Sequence, residues 1–187
     1  MISNGKFYES QFEEATIELL REAHWQYAFG DDIHRKYTDP LIEEDLRNFL
    51  AVQYKDKNLT TSEMDSIVAN LRNTGGQNDY YALRNTFLLY RDGYDFAYSD
   101  GRSNPFRLEY IDFEHPVHNI FRCVNQFVME QGRENRRPDI LLFINGIPVC
   151  IIELKNPTKQ NATIHDAHTQ ICTRYMRDIP ALLKYCA

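Results

Sequence analysis

Nothing in this 187-residue chain approaches the ~20 consecutive apolar residues that a membrane-spanning helix needs. The opening MISNGKFYESQFEE lacks the basic and apolar regions of a secretory signal. The four cysteines, Cys123, Cys150, Cys172 and Cys186, are scattered without a Cys-x-x-Cys pair. That argues against a disulfide frame or zinc knuckle and points to reduced thiols in a cytoplasmic protein. There are no repeats and no low-complexity segment. The one Gly-Gly, in NTGGQN, lacks the Gly-Lys-Ser/Thr ending of a phosphate loop, so no ATP site is assigned to these residues.

What is present suffices for a packed core: 43% hydrophobic and 13% aromatic residues. The net charge of -6 conceals an asymmetry. Residues 1–117 carry 12 Lys and Arg against 21 Asp and Glu, whereas residues 118–187 carry 9 against 6. The basic second part suits a polyanionic partner, although an excess of this size is also ordinary protein surface.

The first half reads as helical. SQFEEATIELLREAHW places Phe12, Ala15, Leu19 and Ala23 on one helix face. Asp39-Pro40 has the form of an N-cap followed by Pro at the first helical position, opening LIEEDLRNFLAVQY. Thr60 and Glu63 form a capping box ahead of MDSIVANLRN, which Gly75-Gly76 closes. DYYALRNTFLLYRD reads as a further helix stopped by Gly93. Beyond it, YDFAYS, FRLEYIDF, IFRCVNQFVMEQ, DILLFI and PVCIIEL are rich in β-branched and aromatic residues. TIHDAHTQICTRYMRD then returns to helix before Pro180. The expected architecture is α/β, a central mixed sheet of about five strands flanked by helices. It forms one domain, with residues 1–93 mainly helical and 94–187 holding the sheet. The ending LLKYCA has neither turn nor polar tail, so the chain is read as part of a longer polypeptide.

RPDILLFINGIPVCIIELKNP places Asp139, Glu153 and Lys155 at the ends of an otherwise apolar passage. Burying an isolated charge costs several kcal/mol, so charges here need a reason. DILLFI and PVCIIELK form a hairpin about Asn145-Gly146, and period-two alternation puts Glu153 and Lys155 on one face. A plain two-residue turn pairs 144 with 147 and sets Asp139 opposite Ile152, on the wrong face for Glu153. A three-residue loop, a bulge or a bend brings Asp139 opposite Glu153. Joint action of these residues therefore predicts a hairpin that is not of the simple type. Two nearby carboxylates invite Mg²⁺ or Mn²⁺. Such an ion polarises a phosphodiester oxygen and lowers the pKa of a water, and a neighbouring ammonium offsets developing charge.

Pro138-Asp139 followed by Glu153-Leu154-Lys155 resembles the PD-(D/E)XK nuclease motif. NQFVMEQGRENRRPDILLFINGIPVCIIELKNP, with the earlier ESQFEEATIELLREAHWQYAFG and the later RYMRDIPALL, resembles the N-terminal nuclease domain of the restriction (R) subunit of type I restriction-modification enzymes. The resemblance implies Mg²⁺-dependent cleavage of double-stranded DNA in a restriction system. Asp139 and Glu153 would be metal ligands with the Leu154 carbonyl a third, and Lys155 would position water or stabilise charge. Modification and specificity subunits would be the partners. ATP would belong only to a motor downstream of these residues, so the isolated chain is expected to be weakly active or inactive. The family carries a Gln and a Tyr about one turn apart on the following helix. Gln170 and Tyr175 are the candidates, but five residues place them about 140° apart on a 3.6-residue helix. Glu13, or alternatively Glu9 or Glu14, would approach the metal from the first helix. Arg136, Arg137, Lys159 and Arg174 are candidate DNA contacts. His115-x-x-His118 and His165-x-x-His168 lack cysteine partners at zinc spacing and read as solvated or hydrogen-bonded histidines. Two further readings stay open: a nuclease-like fold kept as a docking surface, and a repair or resolvase-type enzyme of the same superfamily.

Overall fold

The computed structural model describes residues 9–155 and 163–186. It opens with helix α1 (Glu9–Glu22), strand β1 (Gln26–Phe29), and helices α2 (Glu43–Gln53), α3 (Thr61–Asn73) and α4 (Asp79–Asp92). A short ribbon of β2 (Tyr94–Phe96) and β3 (Phe106–Leu108) follows. Then come β4 (Phe121–Asn125), a ribbon of β5 (Met129–Gln131) and β6 (Glu134–Arg136), and the hairpin strands β7 (Ile140–Ile144) and β8 (Ile147–Ile152). The chain ends in α5 (Ile164–Thr169), a π-helical turn over Gln170–Tyr175, α6 (Met176–Asp178) and α7 (Pro180–Leu183).

The central sheet is mixed and has four strands in the order β1-β4-β7-β8. β1 runs parallel to β4, and the other two pairings are antiparallel. The helix–sheet–helix arrangement is the expected α/β, nuclease-like fold. β1 was not anticipated: QYAF follows directly on the helical stretch that ends at Trp25 and is too short to carry a pattern of its own. His24, with φ 68°, stops α1, and Trp25 packs edge-on against Phe121 with ring centroids 5.2 Å apart, which brings the following residues beside β4. IFRCVNQFVMEQ is two strands, broken where Gln126 takes φ 55°.

The capping box of Thr60 and Glu63 is present, and α4 stops at Gly93, whose φ of 60° a side chain would resist. The Asp39-Pro40 start of α2 is corrected. The helix begins at Glu43 with no side-chain cap. Asp39 instead accepts from the Leu41 N–H at 3.1 Å and pairs with Arg72. The reason is packing. Leu41 and Ile42 are both buried, but in different clusters, and the Ile42 N–H donates to the Gly146 carbonyl at 2.8 Å. These demands hold the chain extended until residue 43.

One apolar cluster joins α2, α3 and α4 to the β2–β3 ribbon through Leu46, Leu50, Ile67, Leu71, Tyr90 and Leu108. The second joins the sheet to the C-terminal helices through Val124, Leu141, Phe143, Tyr175 and Ile179. The buried Asp45 of α2 accepts two bonds from Arg122 of β4, at 2.6 and 2.8 Å, so charge as well as packing ties the helices to the sheet.

Candidate active site

The β7–β8 hairpin decides where the charges at its open end point. Its turn is the plain two-residue kind, Asn145 and Gly146 both having positive φ, and Ile144 pairs with Ile147. Phe143 pairs with Pro148, but Leu142 pairs with Cys150, so Val149 is bulged out. Pro148 stands next to the bulge on the edge strand, paired with Phe143 at a non-hydrogen-bonded position where its missing N–H takes nothing from the ladder. Past the bulge Ile140 pairs with Ile152, a register that, carried one residue beyond the paired strands, brings Asp139 opposite Glu153. The required departure from a simple hairpin is therefore present, as a bulge rather than a longer loop.

Asp139 accepts the Leu154 N–H on its Oδ2 at 2.7 Å, which holds the Glu153-Leu154-Lys155 backbone beside it. The Glu153 side chain is 3% exposed and the Lys155 side chain 23%, and Lys155 Nζ donates to Glu153 Oε1 at 2.8 Å. Tyr175 OH donates to Glu153 Oε2 at 2.8 Å. Gln170 Nε2 donates to Glu153 Oε1 and, at 2.8 Å, to the Tyr175 hydroxyl oxygen. Burial pushes the Asp139 carboxyl up to about 6, and the charges of Glu153 and Glu13 add to the push. The Leu154 N–H and Lys155 oppose it. Burial, and the Glu153 carboxylate, likewise raise the Tyr175 phenol.

The five-residue spacing of Gln170 and Tyr175 had argued against a shared site. That objection fails because the segment between them is one π-helical turn, which closes at i to i+5 and returns the side chains to one face. Glu13 of α1 lies at the end of β4, where its Oε1 accepts from Asn125 Nδ2 at 2.7 Å and Gln126 Nε2 at 3.1 Å. The carboxamides of Asn125 and Gln126 were not picked out from the sequence. The available signal was a polar pair terminating an apolar strand, the same pattern that singled out Asp139 and Glu153. Nothing is described of the Glu9 side chain.

The oxygen donors here, two carboxylates and the Leu154 carbonyl, suit a hard divalent ion. Among the described residues Asp139 Oδ1 accepts no hydrogen bond and Glu153 Oε2 accepts one, so lone pairs remain for it. Beside the site is a cleft of about 520 Å³ lined by Arg136, Arg137, Arg174 and Arg177 with Gln170 and Tyr175. Arg136 is committed to Asp178 at 2.5 Å and Glu134 at 2.8 Å, and Arg177 pairs with Asp178 at 2.6 Å. Arg137 and Arg174 have no carboxylate partner among the described residues. Lys159 lies outside the described residues.

A bulged hairpin that presents two carboxylates and an ammonium at the rim of a mixed, helix-flanked sheet is the arrangement of a nuclease-like α/β protein. The chain belongs to the family described as type I restriction enzyme R protein N terminus, whose profile matches residues 6–187. It is similar to the type I restriction enzyme HindI endonuclease subunit of Haemophilus influenzae, with 31% identity over 95% of this chain and 17% of that protein. It is also similar to the putative type I restriction enzyme MjaIXP endonuclease subunit of Methanocaldococcus jannaschii, with 31% identity over 92% of this chain and 17% of that protein. The chain thus spans about a sixth of the length of these relatives.

Proposed function

We propose that this chain is the DNA-cleaving module of a type I restriction enzyme, hydrolysing phosphodiester bonds of double-stranded DNA with Mg²⁺ or Mn²⁺. The observation that carries the reading is the bulge at Val149, which sets Asp139 and Glu153 side by side. Without it, two buried-rim carboxylates would point to opposite faces and serve no common purpose. The family, with relatives named as endonuclease subunits, supports a restriction-system role.

Asp139, Glu153 and the Leu154 carbonyl would hold the ion, and Lys155 would set its ammonium against the phosphate. A divalent ion bound there supplies Lewis-acid polarisation of the ester. Gln170 and Tyr175 clamp Glu153 from the far side and leave it one orientation. Glu13 adds negative charge from α1. Arg137 and Arg174, which have no carboxylate partner among the described residues, would take the DNA backbone in the adjoining cleft, whereas Arg136 is spent on Asp178. Modification and specificity subunits would choose where the DNA is cut, in the cytoplasm. ATP hydrolysis would belong to the longer protein. No helix among the described residues is long and apolar enough to cross a membrane.

The test is plasmid cleavage by the assembled enzyme, with calorimetric Mn²⁺ titration of this chain. Lys155→Ala and Asp139→Ala should abolish cleavage with the fold retained, and Glu153→Ala should remove Mn²⁺ binding. Full cleavage by either of the first two would refute the assignment. Unaltered subunit assembly with no metal binding by the unsubstituted chain would favour a docking module instead.

A further inference from the structure

The loop between β3 and β4 gathers a second set of metal-ligating groups, sharing no residue with the nuclease site. Asp112 lies beneath His115 and His118, its side chain 5% exposed and theirs 64% and 50%. Its carboxylate is held from below and behind: Oδ1 accepts the His115 N–H at 2.7 Å, and Oδ2 accepts Gln53 Nε2 at 3.1 Å. Asn119 secures the Asp112 backbone from both sides, accepting its N–H at 2.9 Å and donating to its carbonyl at 2.8 Å. Above it the two imidazoles stack with centroids 5.2 Å apart and planes 25° apart. The short 3₁₀ turn Pro116–His118 puts both rings on the same side of the loop.

One donor atom from each of the three residues lies within 4.8 Å of the other two. A four-coordinate zinc ion with bonds of about 2.0–2.1 Å keeps its ligand atoms about 3.3 Å apart. The two rings face different oxygens of the carboxylate: His118 Nδ1 hydrogen-bonds Asp112 Oδ2 at 2.8 Å, and His115 Nδ1 lies 3.8 Å from Oδ1. Rotation of the two exposed rings would bring both nitrogens to that spacing about one ion, while Gln53 and the His115 amide hold the carboxylate.

We propose that Asp112, His115 and His118 form a binding site for a zinc-class divalent ion. Two imidazole nitrogens and one carboxylate oxygen select Zn²⁺, Co²⁺ or Ni²⁺ over Mg²⁺, which prefers oxygen throughout. The supporting amides are the outer shell such sites require. The role is structural. Asn119, which grips Asp112, also accepts from Asn145 Nδ2 at 2.8 Å, so the ion would brace the closed end of the β7–β8 hairpin. The histidine pair is visible in the sequence, but its third ligand is not, because an Asp three residues before a His is common.

The experiment uses the chain carrying Glu153→Ala, so that metal at the nuclease site does not compete. Co²⁺ titration at pH 7.5 should give visible d–d absorption saturating at one ion per chain, and saturating Zn²⁺ should raise Tm by about 5–10 °C. His115→Ala and His118→Ala should each weaken Co²⁺ binding at least tenfold, as should His118→Asn, which keeps a donor for Asp112 but removes the imidazole. Both positions are surface-exposed, and circular dichroism checks that the fold is kept. Absence of the Co²⁺ band at tens of micromolar metal, or binding unchanged by either Ala variant, overturns the proposal. So does undiminished binding by His118→Asn, which would assign His118 to hydrogen bonding alone.

Discussion

At its closed end the β7–β8 hairpin is held by neutral groups. Asn145, fully buried, donates from its side chain to the Tyr110 carbonyl and Asn119 Oδ1, accepts the Ile120 N–H, and donates its own N–H to the Ile120 carbonyl. Gly146 fits so closely that an added Cβ would lie 2.1 Å from the Ile42 carbonyl oxygen. At its open end, by contrast, two carboxylates share the strand ends, and burial holds Asp139 up at about 6. One end of the same hairpin is paired to completion; the other keeps an unfavourable charge. Like-charged groups at the rim of a core destabilise it, and the paired end offsets that cost by fixing the register.

Five substitutions set the ends against each other. The largest effect is expected at the open end, on chemistry alone. Lys155→Ala should cut the cleavage rate of the assembled enzyme by about 10³-fold or more, roughly 4 kcal/mol of barrier. Its Tm should stay within a degree or two, as measured by calorimetry; a large drop would make Lys155 a structural residue. Next, Asn145→Ala should strip partners from the Ile120 N–H and Tyr110 carbonyl and cost about 2–4 kcal/mol of stability. Chemical denaturation would read it, and a cost near zero would mean the amide network is dispensable.

The third prediction has the opposite sign. The folded pKa of Asp139, about 6, lies above the 3.8 of an ordinary aspartate. Stability from this group is therefore full below about pH 4 and is lost as pH rises through about 6. Asp139→Asn, which keeps an acceptor for the Leu154 N–H, should thus stabilise the metal-free chain at pH 8 by about 1–2 kcal/mol, after allowance for its partial exposure. The gain should shrink between pH 6 and 4 and vanish below. A pH-independent difference would sink the charge argument. Smallest is Tyr175→Phe, which removes one hydrogen bond to Glu153. About a tenfold loss of cleavage is expected, near 1.4 kcal/mol, and Gln170→Ala should behave alike. If only one of the pair mattered, the π turn would not be serving both.

The local elements were largely readable from the sequence. Thr60 and Glu63 form their box, and Gly93 stops α4, because caps and stops depend on neighbours a few residues away. What failed were elements that distant residues control. β1 exists because Trp25 and β4 recruit it, and Asp39 loses its cap role to Arg72 and the burial of Leu41 and Ile42. The candidate site divides in the same way. Asp139, Glu153 and Lys155 stand out as charges at strand ends, whereas Asn125 and Gln126 around Glu13 do not.

The sequence by itself determined that the hairpin had to depart from simple pairing if its acids were to meet, since side-chain alternation of period two permits no other outcome. Only the tertiary structure decided how. Val149 bulges out beside Pro148, and the helix from Gln170 to Tyr175, whose two side chains both bond Glu153, closes as a π turn. Alternation is a property of one strand; where it slips, and by how much a helix unwinds, is chosen by whatever that strand and helix pack against.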